Sequence, residues 1–186
     1  MPSSTTEVPA SIVIVRDFVN TDDLELGTDD LATTRGLSDW LATADLIPDG
    51  EQATEAELTL ARRLRDGLRR GLELNHDRDA EPLLDLEQVL AELPVRLAWD
   101  GTSPVLSTDA PGVLGGLARV ALAAHESVRS SDWERLKICA FDECAWAYFD
   151  HSKNRSRAYC EYGCGNKIKT RAYRARQRAA QGHGGG

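Results

Sequence analysis

The strongest constraint in this sequence is the confinement of all its cysteines to one short stretch. Cys139, Cys144, Cys160 and Cys164 read as Cys-x4-Cys, 15 intervening residues, then Cys-x3-Cys. Two close pairs at roughly this separation form the pattern of a treble-clef or ribbon zinc site. Each pair sits in a tight turn, so that two sulfurs converge from each side. Four thiolates at about 2.3 Å from one Zn²⁺ close a tetrahedron and leave no position for water, so such a site is structural. An iron–sulfur cluster also takes four thiolates, and four buried free cysteines are the bland alternative. His151 lies between the pairs, but four thiols already fill the shell.

Charge divides the chain at the same place. Residues 1–134 carry a net charge of -15 and residues 135–186 a net charge of +7, within an overall -8. A segment this basic faces a polyanion, or docks on the acidic part of its own chain. It is also too short to bury an adequate core, so a metal would supply the missing stability. Tyr148, Phe149, Tyr159 and Tyr162 supply the apolar content it has.

The 134 residues before it read as mainly helical. The apolar positions Leu58, Ala61, Leu64, Leu68 and Leu72 share one face of a helix over 52–74. Further helices are expected near Leu37–Leu46, over 83–93 and over 112–129, with Pro94 closing the second of these. The β-branched run Ser11–Val15 predicts a short strand. Val95–Trp99 and Pro104–Ser107 flank Asp100-Gly101 and predict a β-hairpin. The expected fold class is therefore mainly α (α+β). A helical N-terminal domain with a small β-hairpin (1–134) precedes a four-cysteine zinc module with a basic helix (135–180) and a disordered tail (181–186). No apolar run approaches the roughly 20 residues of a membrane span. The N-terminus lacks the basic region of a secretory signal, so a cytoplasmic protein is expected.

After the last cysteine, residues 166–180 predict a helix capped by Asn166. Lys167, Arg171, Arg174 and Arg178 fall within about 60° of arc. Ile168, Ala172, Ala175 and Ala179 form an apolar stripe beside them, expected to pack on the zinc knuckles. Lys169 adds a cation on the helix, and Lys153, Arg155 and Arg157 add three from the loop between the cysteine pairs. Cations gathered this way suit a phosphate backbone, whose counterions they displace.

Several of these residues also stand in a recognisable order. Cys139, Cys144, Phe149-Asp150, Ser152, Asn154-Arg155-Ser156-Arg157, Tyr159-Cys160 and Cys164-Gly165-Asn166-Lys167 together resemble the CGNR zinc finger. Asp17-Phe18-Val19-Asn20-Thr21, Asp30-Leu31, Leu37 and Trp40-Leu41 resemble the ABATE domain. The two occur together in a bacterial family of stress-induced transcription regulators. The resemblance implies zinc on the four cysteines and a DNA-binding role for the C-terminal module. Two positions depart from the pattern. Lys167 stands where the name motif has Arg, and Tyr159 where the family often has Trp. Lysine keeps the charge but loses the planar fork.

Asp17, Asn20, Thr21, Asp29 and Asp30 form the one polar group in the N-terminal part with a functional look. Turn and cap chemistry is the favoured reading of them; the alternative is a small-molecule effector pocket of Asp17, Asn20, Thr21 and Asp30 with Trp40 as an apolar wall. No phosphate-binding glycine loop, nucleophile elbow or His-x-Glu appears, so no enzyme is expected. The sequence thus reads as a DNA-binding regulator. An RNA-binding protein with Tyr148 or Tyr159 stacking on bases is an alternative, and a zinc-stapled protein-interaction module is another. A dimer would suit a regulator, but no heptad establishes one.

Overall fold

A computed structural model describes the backbone of residues 8–182 and the side chains of residues 8–177. Six α-helices and three two-stranded antiparallel hairpins follow in chain order among the described residues. They are α1 (Ala10–Val19), β1 (Asp22–Asp23), β2 (Thr28–Asp29), α2 (Thr34–Thr43), α3 (Glu55–Asp77) and α4 (Leu84–Glu92). Then come β3 (Arg96–Trp99), β4 (Pro104–Ser107), α5 (Gly112–Arg129), β5 (Leu136–Ile138), β6 (Ala147–Phe149) and α6 (Cys164–Gly182). The fold is mainly helical, with small hairpins and the cysteine cluster beside the basic helix.

The first element corrects the sequence reading. Ser11–Val15 lies inside helix α1 and is not a strand. Ile12, Val15, Phe18 and Val19 recur at helical spacing and are fully buried, in a helix that packs along α5 and against α3. β-Branching costs a helix a few tenths of a kcal/mol per residue, whereas burying each such side chain returns about 1.5–3 kcal/mol. Tertiary burial therefore overrides local preference.

Helix α3 is the spine, and both of its ends are well specified. Thr54 and Glu57 make a capping box: the Glu57 N–H donates to Thr54 Oγ1 at 3.2 Å, and the Thr54 N–H to Glu57 Oε2 at 2.8 Å. Arg78 closes it in the left-handed conformation. Its apolar face carries Leu58, Ala61, Leu64, Leu68 and Leu72 into the core, as the periodicity predicts. The β3–β4 hairpin also forms, with Leu97 opposite Leu106. The Asp100 carboxylate accepts the N–H groups of Thr102 and Ser103 in its turn.

One core runs through both halves of the chain. Leu136, Ile138, Ala147 and Phe149, from β5 and β6, are buried in the same cluster as Ile12, Leu64 and Leu117. A second, smaller cluster holds the four cysteines with Phe141 and Tyr148. The step in composition near residue 134 thus marks a change of charge, while the apolar packing continues across it. No helix of the described residues is long and apolar enough to cross a membrane.

Candidate metal centre and basic helix

The β5–β6 hairpin delivers the first cysteine pair. Cys139 follows β5, and its N–H extends the ladder to the Trp146 carbonyl at 2.9 Å. The chain then turns tightly. The N–H groups of Cys144 and Ala145 both donate to the Phe141 carbonyl, and Ala145 takes a positive φ of 45°. The second pair straddles the start of α6, with Cys160 in the approach and Cys164 as the first helical residue. Gly163 makes the bend at φ 80°, and its carbonyl accepts the N–H groups of Asn166 and Lys167. The helix therefore begins two residues earlier than the sequence suggests. Asn166 lies inside the first turn and is not its cap. A hairpin knuckle facing a helix N-terminus is the treble-clef arrangement of the two weighed from spacing. Gly165 lets this turn sit close to its approach, since a Cβ there would lie 3.3 Å from the Tyr159 ring.

All four Sγ atoms lie within 4.8 Å of one another, and all four cysteines are buried. Cys144 to Cys160 is 3.8 Å and Cys160 to Cys164 is 3.6 Å. A tetrahedron with metal–sulfur bonds of about 2.3 Å has edges of about 3.8 Å, so the donors fit a four-coordinate ion. The Cys160 N–H also reaches Cys139 Sγ at 3.5 Å. Burial pushes the Cys144 thiol up to about 12 and raises Cys160 as well. Cys144 and Cys160 so buried resist ionising on their own, and a divalent cation supplies the charge that makes thiolates favourable. The cluster can therefore coordinate a metal ion. His151 is not among its donors and rests edge-on against Phe149.

The loop between the pairs is organised by a buried ion pair. Lys137 Nζ donates to Asp150 Oδ2 at 3.0 Å, with the two side chains 4% and 0% exposed. The same Lys137 bonds the Arg155 carbonyl at 2.5 Å. Asp150 further accepts the N–H of Ser152 on Oδ1 and that of Arg157 on Oδ2. Burial alone would raise the Asp150 carboxyl. The hydrogen bonds from Ser152, Lys137 and Arg157 outweigh it and hold the group at about 2. Sequence reasoning assigned Asp150 no role, although it stands within the motif, and it passed over Lys137. Tyr148 is 1% exposed and donates its hydroxyl to the Arg157 carbonyl at 2.5 Å. Tyr159 is half-buried against the cysteine cluster, while Tyr162 is largely exposed and adds little to it.

The predicted basic residues divide into two groups. Lys167 pairs with Glu25 at 2.5 Å, and Arg171 grips Glu143 with two bonds of 2.8 Å while lying over the Phe141 ring. The bond to Glu25 raises Lys167, and the bond to Arg171 lowers Glu143. In the loop, Arg155 pairs with Glu134, and Arg157 bonds the Tyr159 carbonyl and approaches Glu161. Lys153, Lys169 and Arg174 are exposed and enter none of the ion pairs among the described residues. The Arg178 side chain lies outside the described residues. Of the expected apolar stripe, Ile168 packs on the cysteine cluster, but Ala172 and Ala175 are exposed. The body of the protein ends beside the first turns, and α6 continues beyond it. The backbone helix runs to Gly182, and residues 183–186 of the expected disordered tail lie outside the described residues.

The N-terminal polar residues bond mainly to other parts of their own chain. Asn20 mimics a strand backbone: its Nδ2 donates to the Ala147 carbonyl at 2.9 Å, and its Oδ1 accepts the Ala147 N–H at 2.7 Å. Thr21 donates to the Phe18 carbonyl and accepts from Arg65. Asp17 pairs with Arg16, Trp40 packs against Phe18, and Asp30 is exposed. The residues that organise this group come from α3. Arg65 holds Asp29 through both carboxylate oxygens, and Arg69 donates to the carbonyls of Val19, Asp22 and Ala145. Their signal in the sequence was an arginine, Arg65, set among the leucines of an apolar helical face.

Residues 14–137 match the ABATE family, described as "Putative stress-induced transcription regulator", and residues 135–177 match the CGNR zinc finger. No curated protein matches the chain. That family is one of transcription regulators and not of enzymes. With its match spanning most of the sequence and the zinc-finger module following directly, the chain belongs to the ABATE family of stress-induced transcription regulators, with a C-terminal CGNR zinc finger.

Proposed function

We propose that the protein is a cytoplasmic regulator that binds duplex DNA through α6 and the adjoining loop, with one structural Zn²⁺ on Cys139, Cys144, Cys160 and Cys164. The observation that carries this reading is the helix that leaves the cysteine cluster. Six cations (Lys167, Lys169, Arg171, Arg174, Arg176 and Arg178) fall on α6, and no acidic residue follows Glu161. Every described side chain from Lys169 to Gln177 is exposed. A free-standing helix of one charge sign repels itself unless it meets a polyanion, and a phosphate backbone releases counterions when it does. The metal would fix the start of α6 against the hairpin, so that the helix leaves the body in one direction.

Duplex DNA is favoured over single-stranded RNA by the two tyrosines on which an RNA reading relies. Tyr148 is buried with its hydroxyl committed, and Tyr159 is half-buried against the cysteine cluster, which speaks against base stacking on them. The test is a titration of zinc-loaded protein against labelled random duplex DNA and single-stranded RNA at several salt concentrations. It is run beside a variant with all six α6 cations changed to Gln. Duplex binding that weakens steeply with salt and is lost in the variant supports the reading. Equal binding by the variant, or none by either protein, overturns it and leaves a protein-interaction module.

A further inference from the structure

The cations of α6 lie on two opposite faces. Lys167 and Arg171 are one turn apart on the face toward the body, where Glu25 and Glu143 neutralise them, and Arg174 continues that face a turn further on as its one described cation outside any ion pair among the described residues. Glu25 belongs to the turn between β1 and β2, and Glu143 to the knuckle between Cys139 and Cys144. These two pairs tie the helix both to the N-terminal part of the chain and to the metal centre. Lys169, Tyr173 and Arg176 follow at i, i+4 and i+7, and so share about 60° of arc. Their face lies about 170° round the helix from the paired one. All three are exposed, Tyr173 by 58%. Among the described residues, neither Lys169 nor Arg176 enters an ion pair.

We infer that the Lys169–Tyr173–Arg176 face is the one that meets the DNA backbone, and that Lys167 and Arg171 chiefly hold the helix in place. The inference rests on the DNA-binding reading above and specifies its working surface. A cation already paired with a carboxylate adds little net field, and bringing it to a phosphate first costs the bond it has. An unpaired cation carries no such cost. The run from Lys169 to Arg176 is about 10 Å long, which sets two charges along one strand's phosphates with Tyr173 between them. A tyrosine there can donate its hydroxyl to a phosphate oxygen and lay its ring on the adjoining sugar. Arg176 and Tyr173 were not among the residues picked out from the sequence, because their face is separate from the stripe that spacing made conspicuous.

Three variants of the full-length, zinc-loaded protein separate the faces in titrations of a labelled random duplex over a range of salt. Lys169→Gln with Arg176→Gln should lower affinity at least about tenfold at low salt and reduce the slope of log K against log salt by about 2. Tyr173→Ala should weaken binding with the slope unchanged. Lys167→Gln with Arg171→Gln should alter the slope by less than half as much, while lowering the melting temperature. Zinc content and circular dichroism establish that each variant is folded. A Lys167/Arg171 variant that loses as much affinity and slope as the Lys169/Arg176 variant, or more, overturns the assignment and leaves DNA binding standing. Absence of duplex binding by the unaltered protein overturns both.

Discussion

Removing the Asp150 carboxylate should unfold the C-terminal module more readily than any surface change in it. Asp150→Ala strips three partners at once: Lys137 Nζ and the N–H groups of Ser152 and Arg157. It also leaves Lys137, 4% exposed, with only the Arg155 carbonyl. Truncating one member of a buried pair costs about 3–5 kcal/mol. The depressed pKa gives an independent figure. A carboxyl held at about 2 instead of its ordinary 3.8 contributes roughly 2 kcal/mol at neutral pH. The lost backbone bonds and the stranded ammonium account for the rest. Urea unfolding at saturating zinc measures the loss, and Asp150→Ala with Lys137→Met should recover part of it. The sign of the pH dependence follows from the depressed pKa. The stabilisation is complete above the unfolded value near 4 and is lost as pH falls through about 2. The gap between wild type and Asp150→Asn should therefore stay flat from pH 7 to pH 5. A loss below about 1 kcal/mol for Asp150→Ala, or a gap that closes within that window, would refute the argument.

Three further outcomes are expected. Chelation should remove one metal per chain and lower the melting temperature of the whole protein, because β5 and β6 share a core with α1 and α3; Cys160→Ser should do the same without chelator, and a Co²⁺-loaded sample should show a tetrahedral thiolate spectrum. Asn20→Ala should cost about 2–3 kcal/mol in denaturant melts, since it leaves both backbone groups of buried Ala147 unsatisfied; a neutral result would show that the contact between the two parts does not depend on it. Arg65→Met should destabilise by about 3 kcal/mol by stranding the half-buried Asp29 carboxylate. Desolvation pushes Asp29 up, but the bonds and charge of Arg65 prevail and lower it. That contribution is present at neutral pH and is lost as pH falls below the ordinary carboxylate range. Wild type and variant should therefore converge in acid, and a gap that widened there would contradict the pairing.

The sequence by itself determined what depends on near neighbours. The cysteine spacing sets two sulfurs in each of two tight turns, and a metal needs nothing else to be legible. The leucine periodicity of α3, its Thr54–Glu57 capping box and the Asp100-Gly101 turn are interactions within a few residues, so these elements form where the pattern places them. The charge step near residue 134 is simple counting. Tertiary structure decided what depends on partners far along the chain. Ser11–Val15 became helical because its apolar face found α5 and α3, a burial that local propensity cannot register. Asn20, Thr21 and Asp29 are legible only as polar side chains, and their partners Ala147 and Arg65 reach them from 127, 44 and 36 residues away. The basic helix was legible as charge, but its free face was not. Glu25, 142 residues before Lys167, and Glu143 select which cations are spent on the fold, and a sequence records their presence without recording whom they meet.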